Sequence, residues 1–487
     1  MRTTSRSPRR SRWAAVLLGA LMVAAVPATA SAVPGTDAGS SDPLPVVFVH
    51  GNSGSAAQWQ SQFQRFTSNG YPQDLLFAYE YDTSGSDNTQ AIAELDPFLD
   101  AVLASTGADQ VLLAAHSRGT TVSHAYLAEP EHAAKVAKYV NLDGRSAEAP
   151  PGGVPTLAIW GEWNSPPEPR RGTVGAITGA VANLYNPDQG HTEAASSART
   201  FAAVYEFFTG AAPATTDILP EPPAEVTVAG RAVLFPQNEG FEGATLEVWR
   251  VSTRTGRHTS AHPEAVVPIT GDGSFGPLEL YGRHSYEFAL LRPDGSTHHF
   301  YQSPFARSDH FVRLNSGIAG AGLEAFVPES EQHTNLALIR AREIWGDQGA
   351  DSDEITVDVI GDRSGPLDVT TPRSSTEGTF GRIGEVNALF LTDVGARTPT
   401  GYAPPDQMTD LAKGDLFPFN TLTFLNAVDA YLPATPRGTH PIRIEVQPRG
   451  GGVPEVITVP DLPSTNDRIS VTLRDSTQED YAFGARR

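Results

Sequence analysis

Ser117 stands in the pentapeptide Ala115-His116-Ser117-Arg118-Gly119, directly after the apolar run Gln110-Val111-Leu112-Leu113-Ala114-Ala115 and ahead of a helical pattern that begins at Thr120. A serine hydroxyl is a poor nucleophile. It must be held exposed on a strained turn, with a histidine to take its proton and backbone donors to receive an oxyanion. Strand, sharp turn and helix in that order, with small residues two positions either side of the serine, supply that setting. Ala115 stands where glycine is commonest, and an alanine keeps the steric logic. The bare pentapeptide is a common small-residue turn, so its flanks carry the reading.

The proton acceptor belongs downstream in the same domain. His191 follows the loop Asn186-Pro187-Asp188-Gln189-Gly190 and precedes a helical pattern over Ala194 to Phe208. His116 adjoins the nucleophile, and His124 and His132 fall in or near the following helix. For the acid, Asp143 follows the short apolar run Tyr139-Val140-Asn141-Leu142, with Glu162 and Asp188 as alternatives. The next run, Thr156 to Trp160, leads to Gly161-Glu162-Trp163-Asn164, where a carboxylate is often found and an amide stands instead. An amide cannot stabilise an imidazolium as a carboxylate does. His50-Gly51-Asn52 ends an early apolar run, and the backbone N–H groups of Asn52 and Arg118 are the candidate oxyanion donors. His50 is expected to be structural.

His50-Gly51, Ala115 to Gly119, Leu142-Asp143-Gly144 and Gly190-His191-Thr192 together resemble the α/β-hydrolase superfamily. With the acid early, the chain is similar to two-domain lipases of the archaeal carboxylesterase type, which carry a C-terminal β domain. Acid placement after the earlier strand is also similar to pancreatic-type lipases. The resemblance implies hydrolysis of long-chain carboxylic esters, with lipid or another hydrophobic ester as the partner and the β half assisting lipid contact. The motifs cover about Pro45 to Gly210; beyond Val226 the likeness is architectural.

The elements that would position these residues are short apolar runs of strand length, Pro45 to Val49 among them, alternating with helical patterns over Thr89 to Ala104 and Thr120 to Ala137. That texture predicts an α/β fold over residues 40–210 with a parallel sheet covered on both faces. The proline-rich run 211–225 reads as a linker. From Val226 onward, alternating strands and Gly/Asp turns predict a mostly β region, a sandwich module over 226–315 and a second β module over 316–487.

Between Trp160 and His191, a proline-rich loop leads to Gly172 to Leu184, with Val174, Ile177, Val181 and Leu184 at helical spacing. A mobile lid and an ordinary surface helix both read this way. In the β half, Trp249, Tyr281, Tyr286, Phe300, Tyr301 and Phe305 are expected mainly as core, and His298, His299 and His310 as solvated side chains. No metal or cofactor is assigned.

Residues 1–32 read as an export signal: five arginines, an apolar run from Ala14 to Val26, and the small-residue site Ala30-Ser31-Ala32. Arg9-Arg10 resembles a twin-arginine signal, with the general Sec route as the alternative. The apolar run is short for a bilayer span, and no other integral membrane segment is expected. The net charge of −21 argues against nucleic acid or anionic membrane as partner, and loss of the signal makes the chain more acidic still. The absence of cysteine excludes disulfides and thiolate metal sites. The reading is a secreted serine carboxylesterase; the rivals are a polyester depolymerase or acyltransferase with the same triad, and a surface-binding protein with a vestigial hydrolase domain.

Overall fold

Val46-Val47-Phe48-Val49 carries no polar side chain and is buried throughout, which requires cover on both faces of its sheet. The computed structural model describes residues 42–162, 175–344, 353–361, 366–369, 386–393, 424–448 and 453–474. In it this segment is β1 (Val46–Val49). It shares a sheet with β2 (Leu76–Tyr79), β3 (Val111–His116), β4 (Val136–Leu142), β5 (Thr156–Gly161) and β6 (Ala182–Asn186), in the order β2-β1-β3-β4-β5-β6. Every pairing is parallel.

Alternate residues feed two cores, as a period of two dictates. Phe48, Leu112 and Ala114 join Phe63 and Phe66 of α1 (Gln60–Ser68). Val49, Leu113 and Ala115 join Leu95 and Leu99 of α2 (Thr89–Thr106) and Val122 of α3 (Arg118–Leu127). From β1 the chain goes outward to β2 and returns to β3 on the other side, so the strand order reverses at the β1/β3 pair. Ligands of such sheets bind at the carboxyl ends beside that reversal.

Three local expectations are corrected. The pattern over Thr120 to Ala137 is not one helix: α3 ends at Leu127, Pro130 opens the short α4 (Pro130–Ala133), and β4 has begun by Val136. Pro130 has no N–H to continue the α3 ladder. The closing helix is divided into α5 (Glu193–Ser196) and α6 (Ala198–Thr209) at Ser197, whose hydroxyl accepts from Thr200 N at 3.1 Å and caps α6.

The helix expected over Gly172 to Leu184, lid or otherwise, does not form in its described part. Residues 175–181 are turns and loop with an isolated bridge from Ile177 to Ala147, and 182–186 are β6. Asn183 accepts from Ile177 N and donates to Ile177 O, both at 2.9 Å, folding the segment back on itself. Ile177 is buried with Ala158 and Trp160. Positions 172–174 and Asn164 lie outside the described residues.

The chain between α6 and the β region is tied to α1. Arg65 donates to Thr216 O at 3.0 Å and Asn69 Nδ2 to Thr215 O at 2.9 Å. Beyond it, β7 (Thr227–Leu234), β8 (Glu239–Gly240), β9 (Thr245–Val251), β10 (Ala265–Pro268), β11 (Ser274–Glu279), β12 (Ser285–Leu291), β13 (Thr297–Gln302) and β14 (Asp309–Ser316) form the first β segment. The second comprises β15 (Leu336–Ile339), β16 (Glu354–Val359), β17 (Leu367–Asp368), β18 (Ala388–Thr392), β19 (Leu425–Asp429), β20 (Pro441–Gln447), β21 (Glu455–Pro460) and β22 (Asp467–Thr472). The two segments share one eight-stranded sheet, because β22 lies parallel between β13 and β15.

Tyr286, Phe300, Tyr301 and Phe305 are buried as expected of core, whereas Tyr281 is exposed and Trp249 stacks on His258. The histidine expectation is corrected. His298 is buried between Ser316 and Ser470, and His299 lies between Glu287 and Asp467. Burial opposes a charge on His299, but Glu287 and Asp467 raise it to about 9. His310 is half-buried and bonds Thr227. Among the described residues no group of three or more potential ligand side chains is gathered for a metal ion.

The β region also enters the hydrolase fold. Phe311 of β14 packs in the β1–α1 core, its ring 4.8 Å from that of Phe63. Arg231 and Arg313 converge on the buried carboxylate of Glu80. That charge is desolvated, yet Arg313 and then Arg231 hold the carboxyl down to about 2.

Candidate active site

Ser117 sits between β3 and α3 with φ 52° and ψ −121°, a strained conformation for a side chain with a Cβ. Tight packing enforces the turn. A Cβ on Gly119 would stand 2.5 Å from His50 O and 2.7 Å from Val49 O, and one on Gly51 would stand 3.0 Å from Ser117 Cβ. Ala115 is fully buried at the second small position. Ser117 N donates to Leu142 O at 3.0 Å, and Ser117 O accepts from Thr120 Oγ1 at 2.7 Å. The backbone is therefore held while the hydroxyl remains available.

His191 Nε2 lies 2.9 Å from Ser117 Oγ, and its Nδ1 meets Asp143 Oδ2. The imidazole and carboxylate are nearly enclosed, with side chains 3% and 4% exposed. Asp143 follows β4 with φ 39°, and its other oxygen accepts from Gly161 N at 3.0 Å. Its own amide donates to Ile159 O at 2.7 Å, so β5 fixes the carboxylate although the residue follows β4. The His191 loop packs on the same glycine: a Cβ there would fall 2.4 Å from Gln189 O. Of the other acids, Asp188 pairs with Arg199 at an exposed site, and Glu162 follows β5, its amide donating to Gln189 O.

Asn52 and Arg118 lie at the carboxyl ends of β1 and β3, and no hydrogen bond among the described residues uses either amide. The Arg118 guanidinium spans the rim, donating to Asn88 Oδ1 at 2.7 Å, Gly85 O at 2.6 Å and Asp87 O at 3.0 Å. His50 lies beneath. Its Nδ1 bonds Gly51 O at 2.8 Å, and Tyr81 N and Asn238 Nδ2 donate to Nε2, each at 3.3 Å. Burial lowers its pKa to about 4, so it stays neutral and structural.

Several residues at this site gave no sequence signal. His116 Nε2 donates to His191 O at 2.9 Å, while Gln58 Nε2 donates to His116 Nδ1 at 2.6 Å. Burial pushes His116 well below its ordinary value, in keeping with the neutral tautomer these partners require. Gln58 also accepts from Gly51 N at 3.3 Å, linking the loop after β1 to the histidine loop. Asn238, from the first β segment, donates to Gly54 O and Tyr81 O, each at 3.0 Å. Adjacency of His116 to the serine was the one available hint.

Comparison with known proteins agrees with this architecture. Residues 43–133 match the model of class 2 lipases, residues 224–318 the lipase C-terminal domain, and residues 322–477 a further C-terminal-domain model. The fold and these matches define an α/β-hydrolase of the lipase type with a C-terminal β region. It is a lipase- or esterase-type hydrolase.

Among similar solved structures is the lipase BlEst2 of Bacillus licheniformis in its propeptide form, 11% identical over 86% of this chain and 93% of that one, TM-score 0.26. Phospholipase PlaB of Legionella pneumophila is 9% identical over 51% of this chain and 86% of its own, TM-score 0.27. A Listeria innocua gene product is 14% identical over 36% and 97%, TM-score 0.28.

Proposed function

We propose that the chain is a secreted serine carboxylesterase acting on lipid or other hydrophobic esters through Ser117, His191 and Asp143. The observation that carries this reading is the 2.9 Å approach of His191 Nε2 to Ser117 Oγ, with Asp143 on the opposite ring nitrogen. His191 removes the hydroxyl proton as Oγ attacks the ester carbonyl carbon, and the carbonyl oxygen takes up the negative charge. The amides of Asn52 and Arg118 receive that oxyanion. Collapse expels the alcohol, which takes its proton from His191 and leaves an acyl group on Ser117. Water, deprotonated by the same imidazole, then attacks the acyl carbon, and collapse of that intermediate releases the acid while His191 returns the proton to Ser117 Oγ. Asp143 keeps the proton on Nδ1 and stabilises the imidazolium throughout.

Export rests on the segment 1–32, and the preference for long acyl chains on the family resemblance. Substituting Ser117→Ala is expected to abolish both ester hydrolysis and covalent labelling by a fluorophosphonate while the thermal unfolding profile is kept. Activity surviving in that variant rejects the assignment. A chain-length profile on p-nitrophenyl esters tests the acyl preference, and an N-terminus at Val33 in exported protein tests the signal.

A further inference from the structure

The peptide unit joining His191 to Thr192 is held at both of its polar atoms, and the two holders come from distant parts of the chain. Its carbonyl accepts from His116 of the hydrolase fold at 2.9 Å. Its N–H donates to Oε1 of Glu343, which lies beyond β15 in the second β segment. The neighbouring amide of Glu193 donates to the other oxygen of the same carboxylate at 2.9 Å. Glu343 is fully buried.

Three more residues of that segment reach the same loop. Asn387 Nδ2 donates to Thr192 Oγ1 at 3.0 Å, and Arg342 pairs with Glu193 at 3.1 Å. The ring of Phe424 stacks on the His191 imidazole, centroids 5.9 Å apart and planes 27° from parallel. The hydrolase fold thus supplies one side of the histidine's setting and the second β segment supplies the other.

We propose that Glu343 is a positioning residue for His191, so that the second β segment completes the active site. The proposal rests on the reading of His191 as the general base. A buried carboxylate that accepts two amides makes charge-assisted bonds, stronger than neutral ones. An amide left without its acceptor in a buried site drives the loop to move. A shift of about 1 Å at a reacting group costs on the order of 100-fold in rate.

The test uses the full chain with Glu343→Gln, which keeps the shape but turns an NH2 group toward one of the two amides. Active sites are counted by the burst released with a fluorophosphonate reporter, and kcat and KM are measured on a soluble short-chain ester. The expected result is a fall in kcat per titrated site of roughly 10- to 100-fold with KM within about twofold. Fluorophosphonate labelling is expected to slow by the same factor. A merely structural role would lower the number of active sites or the melting temperature and leave kcat per site unchanged; that result overturns the proposal. If Glu343→Gln does not fold, Asn387→Ala removes the bond to Thr192 Oγ1 and must show the same split at smaller amplitude, an unchanged kcat again overturning it. Retained activity in Ser117→Ala would instead remove the reading of the triad, so the two failures are distinguishable.

Discussion

Arg118 Nη1 donates to Asn52 Oδ1 at 2.9 Å, tying together by their side chains the two residues whose amides are the candidate oxyanion donors. One follows β1 and the other opens α3, so the bond spans the point where the strand order reverses. Replacing Arg118 by Met keeps its amide but releases the loop carrying Asn52. A fall in kcat/KM of about 10- to 100-fold is expected on a soluble ester. Lys is expected to behave much like Met, because an ammonium cannot reproduce the guanidinium fork that holds Asn52, Asn88 and three carbonyls. Wild-type rates in both variants would detach the side chain from the chemistry.

Asp143→Asn is expected to lower kcat by about 10⁴-fold, the loss seen when a serine protease triad loses its carboxylate and holds the wrong histidine tautomer. Glu162→Gln and Asp188→Asn are expected to stay within about threefold of wild type, since neither side chain is bonded to His191 or Ser117 in the way Asp143 is, and Asp188 pairs instead with Arg199 at an exposed site. Steady-state kinetics on the three variants separates them: a large loss at Glu162 would move the acid to β5.

Gly144 follows Asp143 and admits no side chain. A Cβ there would stand 2.2 Å from both Oγ1 and Cγ2 of Thr120, and Thr120 Oγ1 bonds Ser117 O at 2.7 Å and accepts from Arg145 N at 2.8 Å. Gly144→Ala should therefore disturb the nucleophile turn as well as the packing, at a stability cost of about 1–3 kcal/mol. Denaturant midpoints and active-site counts on the purified variant measure the two effects; normal values for both would mean that Thr120 moves aside freely.

Glu80 ties the hydrolase fold to the first β segment, and its pH dependence has a definite sign. Its carboxyl lies near 2 in the fold against 4.5 as the ordinary value. The stabilising contribution is thus complete above about pH 4.5 and is lost as pH falls through about 2, and it amounts to roughly 3 kcal/mol. Glu80→Gln leaves Arg231 and Arg313 without their anion, at a cost of about 3–5 kcal/mol near neutrality. Urea unfolding of both proteins between pH 7 and pH 3 should show the gap narrowing below pH 4.5. A gap that stays constant with pH would mean that the charge on Glu80 is not what stabilises the junction.

Local signals were enough wherever a short stretch carries its own physics. The continuous apolar runs at β1 and β3 predicted a sheet covered on both faces, and their alternate residues do feed two cores. Helical spacing misled over the described part of Gly172 to Leu184, residues 175–184. There the side chain of Asn183 clasps Ile177, and packing of that residue against Trp160 outweighs a weak periodicity. It also overran Pro130 and Ser197, where a missing donor and a capping hydroxyl divide the helices. Of the histidines expected in solvent, His298 proved buried and His299 enclosed, because the two carboxylates beside His299 are brought by β12 and β22 and not by neighbours in sequence.

The sequence by itself determined the candidate nucleophile turn, since strand, small residues and serine are contiguous, although the packing that enforces the strain of Ser117 comes from Val49, His50 and Leu142. It also put forward His191, from a loop ahead of a helical pattern, as the candidate base and Asp143, after an apolar run, as the first candidate acid, with Glu162 and Asp188 left open. The tertiary structure alone decided what holds them. His116, held by Gln58, reaches the His191 carbonyl, Asn238 supports His50 from 188 positions away, and Glu343 takes the Thr192 amide from 151 positions away. These are single polar contacts between distant segments; they follow no periodicity, and only the packed arrangement of the three regions brings each donor to its acceptor.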